Sequence, residues 1–232
     1  MRIIAIGDLH GRSCWKEIDP ALYDRIVFLG DYVDSLVIPA ETILKNLEEL
    51  IEFKVNHFEK VTLLLGNHDV QYSEYPFTYT CSGFNGKYQA RYTKLFRDNS
   101  ALFKVAESIG DYLFTHAGVS VGFMEHNLKE WSKEIWALEY DIAELLNNIH
   151  ESDYKEILHT VGKSRGGSDP FGGITWADMS ETHNDYLLGY NQVVGHSPVK
   201  RFTHYGDIYG SITYIDVKER ENIDHFFQIE IN

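Results

Sequence analysis

The chain has 232 residues, 44% of them hydrophobic and 24% charged, which is the size and balance of a single well-buried soluble α/β domain. Its formal net charge of −14 disfavours sequence-blind binding to long nucleic acid, which depends on Lys and Arg neutralising phosphates. That charge speaks only of bulk partners, and a local site has to be judged separately.

No apolar run approaches the roughly 20 residues that span a membrane. The two cysteines, Cys14 and Cys81, stand far apart in no metal-ligand spacing. With no charged leader ahead of the first strand, the expectation is a cytoplasmic protein with unpaired, buried thiols.

The chain opens on Ile3-Ile4-Ala5-Ile6, a buried-strand pattern that leads into Gly7-Asp8-Leu9-His10-Gly11. A second apolar run, Ile26-Val27-Phe28-Leu29, leads into Gly30-Asp31-Tyr32-Val33-Asp34. Pro39 is placed to open a helix, and Ile43, Leu44, Leu47, Leu50 and Ile51 give that helix one apolar face. A third strand pattern, Val61-Thr62-Leu63-Leu64-Leu65, ends at Gly66-Asn67-His68-Asp69.

Residues 71–92 crowd Tyr72, Tyr75, Phe77, Tyr79, Phe84, Tyr88 and Tyr92 among Pro76, Gly83 and Gly86. This reads as a long loop entering a helix, its aromatics anchoring the loop; a substrate-lining surface is the sharper alternative. Two further strand patterns, at 112–114 and 192–194, lead to Thr115-His116-Ala117-Gly118 and Val194-Gly195-His196-Ser197.

Between them, Leu128, Trp131, Ile135, Leu138, Ile142, Leu145 and Ile149 step by three and four. That spacing predicts one amphipathic helix over 127–150, packed on the parent domain, with a cap or a homodimer seam as alternatives. The glycine-dense stretch 163–173 must be loop, and strand patterns at 211–217 and 226–231 around a turn at 218–224 suggest a terminal hairpin. No repeat or low-complexity linker divides the chain, so a single domain over 1–232 is expected, with 127–170 as a candidate cap insertion.

Five blocks at strand ends, each offering a metal-seeking side chain, amount to enough donors for two divalent cations. A binuclear hydrolase needs exclusive ligands for each ion, one shared ligand, and a water held between the ions. Asp8 and His10 suit one ion; Asn67, His116 and His196 suit the other; the carboxylate of Asp31 is the residue type best able to bridge. Mixed imidazole and carboxylate donors favour Mn, Fe, Zn, Co or Ni over Mg or Ca. His68, next to Asn67, can face a departing oxygen as its proton donor, with Asp34 orienting the ring. Gly7, Gly30 and Gly66 let the backbone approach closely.

In this order, GDLHG, GDYVD, GNHD, THAG and VVGHSP resemble the motifs of the calcineurin-like metallophosphoesterases, over about residues 2–217. The chain looks closest to the branch of Ser/Thr protein phosphatases and symmetrical diadenosine tetraphosphatases. The resemblance implies a four-layer α/β/β/α sandwich with the site at the strand ends and a two-metal centre, manganese favoured. It implies ligand roles for Asp8, His10, Asp31, Asn67, His116 and His196, and an acid pair of His68 with Asp34.

Pro198 stands where many diesterase branches carry a second His, which favours the monoester and nucleotide branch. The family's second block usually continues with a phosphate-binding Arg, and here that position is Ser35. Arg165, ahead of Trp176-Ala177-Asp178, resembles a second phosphate-binding Arg of the branch; Arg12 is the other candidate.

The leading functional expectation is therefore a phosphomonoesterase acting on a phosphorylated protein or nucleotide. A dinucleoside polyphosphate pyrophosphohydrolase is the alternative. A nucleic-acid end or cyclic-phosphate esterase, and a binding module without catalysis, come after it.

Overall fold

The computed structural model describes residues 1–77, 79–129, 141–217 and 226–231. They form two compact units: Met1–Lys104 with Val217–Asn232, and Val105–Asp216. Each unit is built on a five-stranded sheet, so the chain is mixed α/β with two sheets flanked by helices.

In the first unit, β1 (Arg2–Ile6), β2 (Arg25–Phe28), β3 (Val61–Leu64) and β4 (Phe103–Lys104) run parallel in that spatial order. Ile3, Ile4, Ile6, Ile26, Val27, Phe28, Leu63 and Leu64 are buried, the unbroken apolar pattern that a parallel sheet covered on both faces requires. Because the strands are parallel, the carboxyl ends of β1, β2 and β3 come out on one edge, with Ile6 in register with Phe28 and Phe28 with Leu63.

Helix α1 (Ala40–Asn56) follows Pro39 and buries Ile43, Leu44, Leu47, Leu50 and Ile51, the face expected of it. Full burial of each such side chain is worth about 1.5–3 kcal/mol. Asn46 on the same helix accepts from Trp15 Nε1 at 3.2 Å and donates to Arg12 O at 3.1 Å. It thereby ties the turn after the first glycine block to α1. Helix α2 (Asn67–Ser73) starts directly at the third block, and α3 (Gln89–Asp98) follows the aromatic loop.

The second unit orders its strands β5-β6-β7-β9-β8, with β5 (Ala106–Ile109), β6 (Tyr112–Thr115), β7 (Asn191–Val194), β8 (Thr203–Asp207) and β9 (Gly210–Tyr214). Strands β6, β7 and β9 are mutually parallel, while β5 and β8 pair antiparallel with their neighbours. Its helices are α4 (Val121–His126), α5 (Ile142–His150) and α6 (Met179–Thr182).

Two expectations need correction. The strand patterns at 211–217 and 226–231 do not form a hairpin. Strand β9 pairs with β7 and β8, whereas β10 (Phe227–Glu230) pairs antiparallel with β1 in the other sheet. The sequence of β10 shows why it can cover a sheet edge: Ile229 is buried between exposed Gln228 and Glu230, a half-buried pattern suited to an antiparallel edge strand. The expected turn at 218–224 lies outside the described residues.

Nor does a single helix run from 127 to 150. Asp141 is extended (φ −67°, ψ 132°) and its carboxylate accepts from the amides of Ala143 and Glu144, so α5 starts afresh there. An Asp that competes for amide hydrogens favours a helix start over a helix interior. Residues 130–140, with Trp131, Ile135 and Leu138 of the expected seam, lie outside the described residues. The rest of the stripe, Leu128, Ile142, Leu145 and Ile149, is buried, and so is Leu146 beside it. Asn147 fixes α5 on β5, accepting from Val105 N at 3.0 Å and donating to Ala106 O at 2.9 Å.

Candidate active site

Parallel pairing decides which side chains meet. In the first unit the turn after β1 is sewn to the turn after β2: the amides of Leu9 and His10 donate to Asp31 O at 3.0 and 2.7 Å, and Gly11 N donates to Tyr32 O at 3.0 Å. The turns after β2 and β3 meet at two glycines. A Cβ on Gly30 would stand 2.3 Å from Gly66 N, so neither backbone could approach the other with a side chain there.

Asp69 locks this junction. Its buried carboxylate accepts from Asp31 N at 2.7 Å, Tyr32 N at 2.9 Å and Gly66 N at 2.9 Å. Burial and the charge of Asp31 push its affinity for a proton up, and the three amides pull it back. Asp69 lay within the GNHD block, but nothing in the sequence shows that it knits two strand ends together.

Asp8 and Asp31 are both buried, and they converge on one imidazole. His10 Nδ1 lies 3.0 Å from both Val33 O and Asp34 O. Carbonyl oxygens only accept, so Nδ1 carries the hydrogen and Nε2 presents its lone pair. That Nε2 is 3.9 Å from Asp8 Oδ2 and 3.7 Å from Asp31 Oδ2. Each carboxylate oxygen is thus close enough to Nε2 to share an ion with it. Two buried carboxylates facing a lone pair call for a cation, and the donor set fits a divalent metal.

The other end of Asp31 is fixed by α2, whose His68 N donates to Asp31 Oδ1 at 2.9 Å. An acidic group at a helix start is favoured by the exposed amides there. His10, Asp31 and His68 form a group able to hold an ion. His68 Nδ1, however, is committed to Asp34 Oδ2 at 2.9 Å.

Asp34 is anchored at both oxygens from the same helix. Gln71 Nε2 donates to Oδ2, and the Tyr72 hydroxyl donates to Oδ1 at 2.6 Å. His68, Gln71 and Tyr72 are thus spaced i, i+3, i+4, one face of α2 closing on one carboxylate. Neither Gln71 nor Tyr72 was legible as a support for Asp34, since only tertiary pairing reveals the target. Burial of the His68 ring opposes its charge, but Asp31, Asp34 and Asp69 outweigh that and raise its pKa to about 9.

The aromatic stretch behaves as an anchor. Phe84 stacks on Tyr72 with ring centroids 5.1 Å apart, and on Tyr75 at 6.4 Å. The Tyr72 hydroxyl accepts from Asn85 N at 2.8 Å, so the loop braces the helix that carries His68.

In the second unit the parallel pair β6–β7 brings the last two blocks together. Gly195 N donates to His116 O at 2.8 Å, and His116 Nε2 lies 3.2 Å from His196 Nδ1. Both rings are buried, and Trp176 stands edge-on to His196 at 6.0 Å. Adjacent imidazole nitrogens at this spacing suit chelation of one ion.

Arg165 reaches the same block, its Nη2 donating to Ser197 Oγ at 3.0 Å while its Nε lies 2.7 Å from Asp178 Oδ2. Asp178 also caps α6 through Ser180 N. Its burial works against ionisation, yet Ser180 and Arg165 hold the carboxyl below the usual carboxylate range. Arg12 instead turns back on its own loop, donating to Leu9 O at 3.1 Å. Ser35, where the resemblance expected Arg, accepts from the amides of Val37 and Ile38 at 3.3 and 3.2 Å and so shapes a turn.

One backbone property marks these residues. Among the described residues, His10, Asp31, Asp34 and His196 are the non-glycine positions with positive φ, at 47°, 53°, 61° and 60°. All four were candidates from sequence. Strained backbone gathers where surrounding structure holds a site in place.

Known proteins bear on this geometry. The sequence pattern of the calcineurin-like phosphoesterase family matches residues 1–227. A Schizosaccharomyces pombe protein provisionally named a serine/threonine-protein phosphatase is 32% identical over 126 residues, which is 51% of this chain and 39% of that protein. The chain therefore matches well under half the length of this relative.

Among solved structures, the cold-active protein-tyrosine phosphatase of a psychrophilic Shewanella species superposes with a TM-score of 0.56 at 19% identity, covering 94% of this chain and 71% of that one. A structure of a cold-active protein tyrosine phosphatase at 1.1 Å gives a TM-score of 0.59 at 17% identity, with 94% and 70% covered. At such identities the likeness is one of fold.

Proposed function

The chain belongs to the calcineurin-like phosphoesterase family, and from that premise we propose that it is a metal-dependent phosphomonoesterase of the protein-phosphatase type. The observation that carries this reading is the His68–Asp34 pair, held beside the carboxylates and imidazole that converge on His10 Nε2. A scaffold that only bound metal would have no use for a half-buried, oriented proton donor.

In the finer form of the proposal, Asp8, His10, Asp31, Asn67, His116 and His196 are one binuclear ligand set, with Asp31 shared and manganese the favoured ion. The order of the five blocks and the donor types that each unit gathers support it. Bound divalent ions would supply Lewis acidity toward water and the phosphoryl oxygens.

The chain's own residues would do the rest. Val33 O and Asp34 O fix the tautomer of His10; Asp34 takes the Nδ1 hydrogen of His68 and so leaves the second proton on Nε2. In the reaction a water oxygen forms the new bond to phosphorus as one of its protons is released to solvent, from which His68 Nε2 is reprotonated after turnover. The bond to the leaving oxygen breaks, and the Nε2 proton passes to that oxygen. A ring whose pKa is raised to about 9 holds that proton at neutral pH. Arg165, beside Ser197, is proposed to grip phosphoryl oxygens in place of the Arg that Ser35 lacks. Arg12, committed to Leu9 O, is the lesser candidate.

The substrate is proposed to be a phosphorylated protein or small phosphoester, met in the cytoplasm. No helix of the described residues is long and apolar enough to cross a membrane. The pyrophosphohydrolase alternative gains no support from the aromatic loop, because Phe84 is stacked on Tyr72 and Tyr75.

The test is metal analysis of the purified chain together with turnover of para-nitrophenyl phosphate, its bis ester, diadenosine tetraphosphate, and phosphoserine and phosphotyrosine peptides. Two metal equivalents and monoester turnover that collapses in Asp31→Asn are expected. Metal binding without turnover above the Asp31→Asn background would overturn the enzyme reading. Preference for the tetraphosphate would replace the substrate class.

A further inference from the structure

Three side chains in the first unit link the proposed acid pair to a proposed metal ligand. Asn67 Nδ2 donates to Cys81 Sγ at 3.1 Å. The backbone amide of Cys81 donates to Gln71 Oε1 at 2.8 Å, and Gln71 Nε2 donates to Asp34 Oδ2. All four residues are buried. Gln71 thus spends its amide oxygen on the loop and its amide nitrogen on Asp34. The loop is pressed against the same carboxylate, since a Cβ on Gly83 would lie 3.4 Å from Asp34 Cβ.

We propose that Cys81, held in place by Gln71, is a positioning residue that fixes the orientation of the Asn67 amide and so presents Asn67 Oδ1 as a metal donor. The physical reason is the asymmetry of an amide. Its oxygen can bind a cation and its NH2 cannot, so a flip about the last torsion removes the ligand without moving the residue. Sulfur accepts a hydrogen bond weakly, yet in a buried site it gives the NH2 a destination and sets which edge faces away.

The inference rests on the metal-ligand reading of Asn67, and a double-mutant cycle separates the two. Cobalt(II) binding to the full chain is followed by its visible absorption and by calorimetry, with no turnover needed. Cys81→Ala is expected to weaken cobalt binding at the affected site by about tenfold, the lower end for losing a residue that orients a ligand. Cys81→Ser, whose hydroxyl can still accept, is expected to recover most of that loss.

In the Asn67→Asp background, Cys81→Ala is expected to change binding by less than about twofold, because the two oxygens of a carboxylate are equivalent and leave no flip to prevent. An equal loss in both backgrounds would mean that the thiol only packs the loop, and would overturn the proposal. So would unchanged binding in the Asn67 background. A wild-type chain that binds no cobalt would remove the ligand reading itself.

Should Cys81→Ala not fold, the Asn67 side-chain amide hydrogens of the metal-free wild type decide. Slow exchange with solvent is expected, and exchange at the rate of a free amide would overturn the assignment.

Discussion

The first unit holds a half-buried His68 among Asp31, Asp34 and Asp69, while the second buries His159 near His150 and Lys155. Burial disfavours charge on both rings, so by itself it would lower both. At His68 the carboxylates win and the pKa rises to about 9. At His159 burial comes first, His150 and Lys155 add to it, and the pKa falls well below 6.5. Burial therefore does not decide what a histidine does; the charges buried with it do. The first unit is an anionic frame that wants cations and protons. The second gathers imidazoles and a guanidinium.

The sharpest way to break this contrast is to remove the proton that the anionic frame holds. His68→Ala is expected to lower kcat by roughly 10²–10⁴ on an alkyl phosphate, the usual yield of a positioned acid. The loss should be much smaller on para-nitrophenyl phosphate, whose leaving group needs no proton. Equal losses on the two substrates would take the acid role away from His68.

Next come two glycines with nearly the same backbone, Gly30 (φ +103°) and Gly118 (φ +102°), and different walls. A Cβ on Gly30 meets backbone at 2.3 Å, and one on Gly118 meets the end of Ile212 at 3.1 Å. Thermal denaturation should therefore show Gly30→Ala costing more than about 3 kcal/mol and Gly118→Ala about 1–2 kcal/mol. Similar costs would mean that torsional strain outweighs the junction with Gly66.

In the second unit, Arg165→Ala is expected to lower kcat/KM by roughly 10–100-fold, the worth of a charge-assisted hydrogen bond to phosphate. Full activity would leave Arg165 as a structural partner of Asp178 and Ser197.

The smallest effects are in pH, and they have opposite signs. A proton bound more tightly in the folded chain stabilises it fully below about 6.5, and that contribution is lost as pH rises through about 9. Chelator-treated protein should therefore melt earlier across that window, and His68→Gln should flatten the fall. His159 stays neutral when folded, whereas the unfolded chain takes up a proton below about 6.5. Its contribution is present above that pH and fades as pH falls toward the depressed folded value, so His159→Gln should flatten the acid side of the melting curve.

The strand ends could be read from the sequence because a covered parallel sheet leaves unbroken apolar runs, and chemistry collects where they stop. The buried face of α1 was legible for the same kind of reason, a period of 3.6 residues. Asp141 escaped notice because the apolar spacing continues across it, and the cap that restarts the helix is a local hydrogen-bond choice that spacing does not register. The destination of β10 could not be seen at all, since a strand pattern carries no address for its partner.

Among the candidate residues, Asp8, His10, Asp31, Asn67, His68, His116 and His196 stood out by type and position. Their supports did not. Gln71, Tyr72 and Cys81 are ordinary residues whose meaning comes from the carboxylate or amide they touch.

The left-handed backbone at His10, Asp31, Asp34 and His196 bears on how the chain would evolve under different screens. A library randomised at these four positions and sorted for expression alone should drift toward Gly and Asn, which accept that conformation most readily. Sorted for turnover, it should return Asp and His. The gap between those two outcomes would measure, residue by residue, how far selection for chemistry has pulled this fold from the sequence that folding alone would choose.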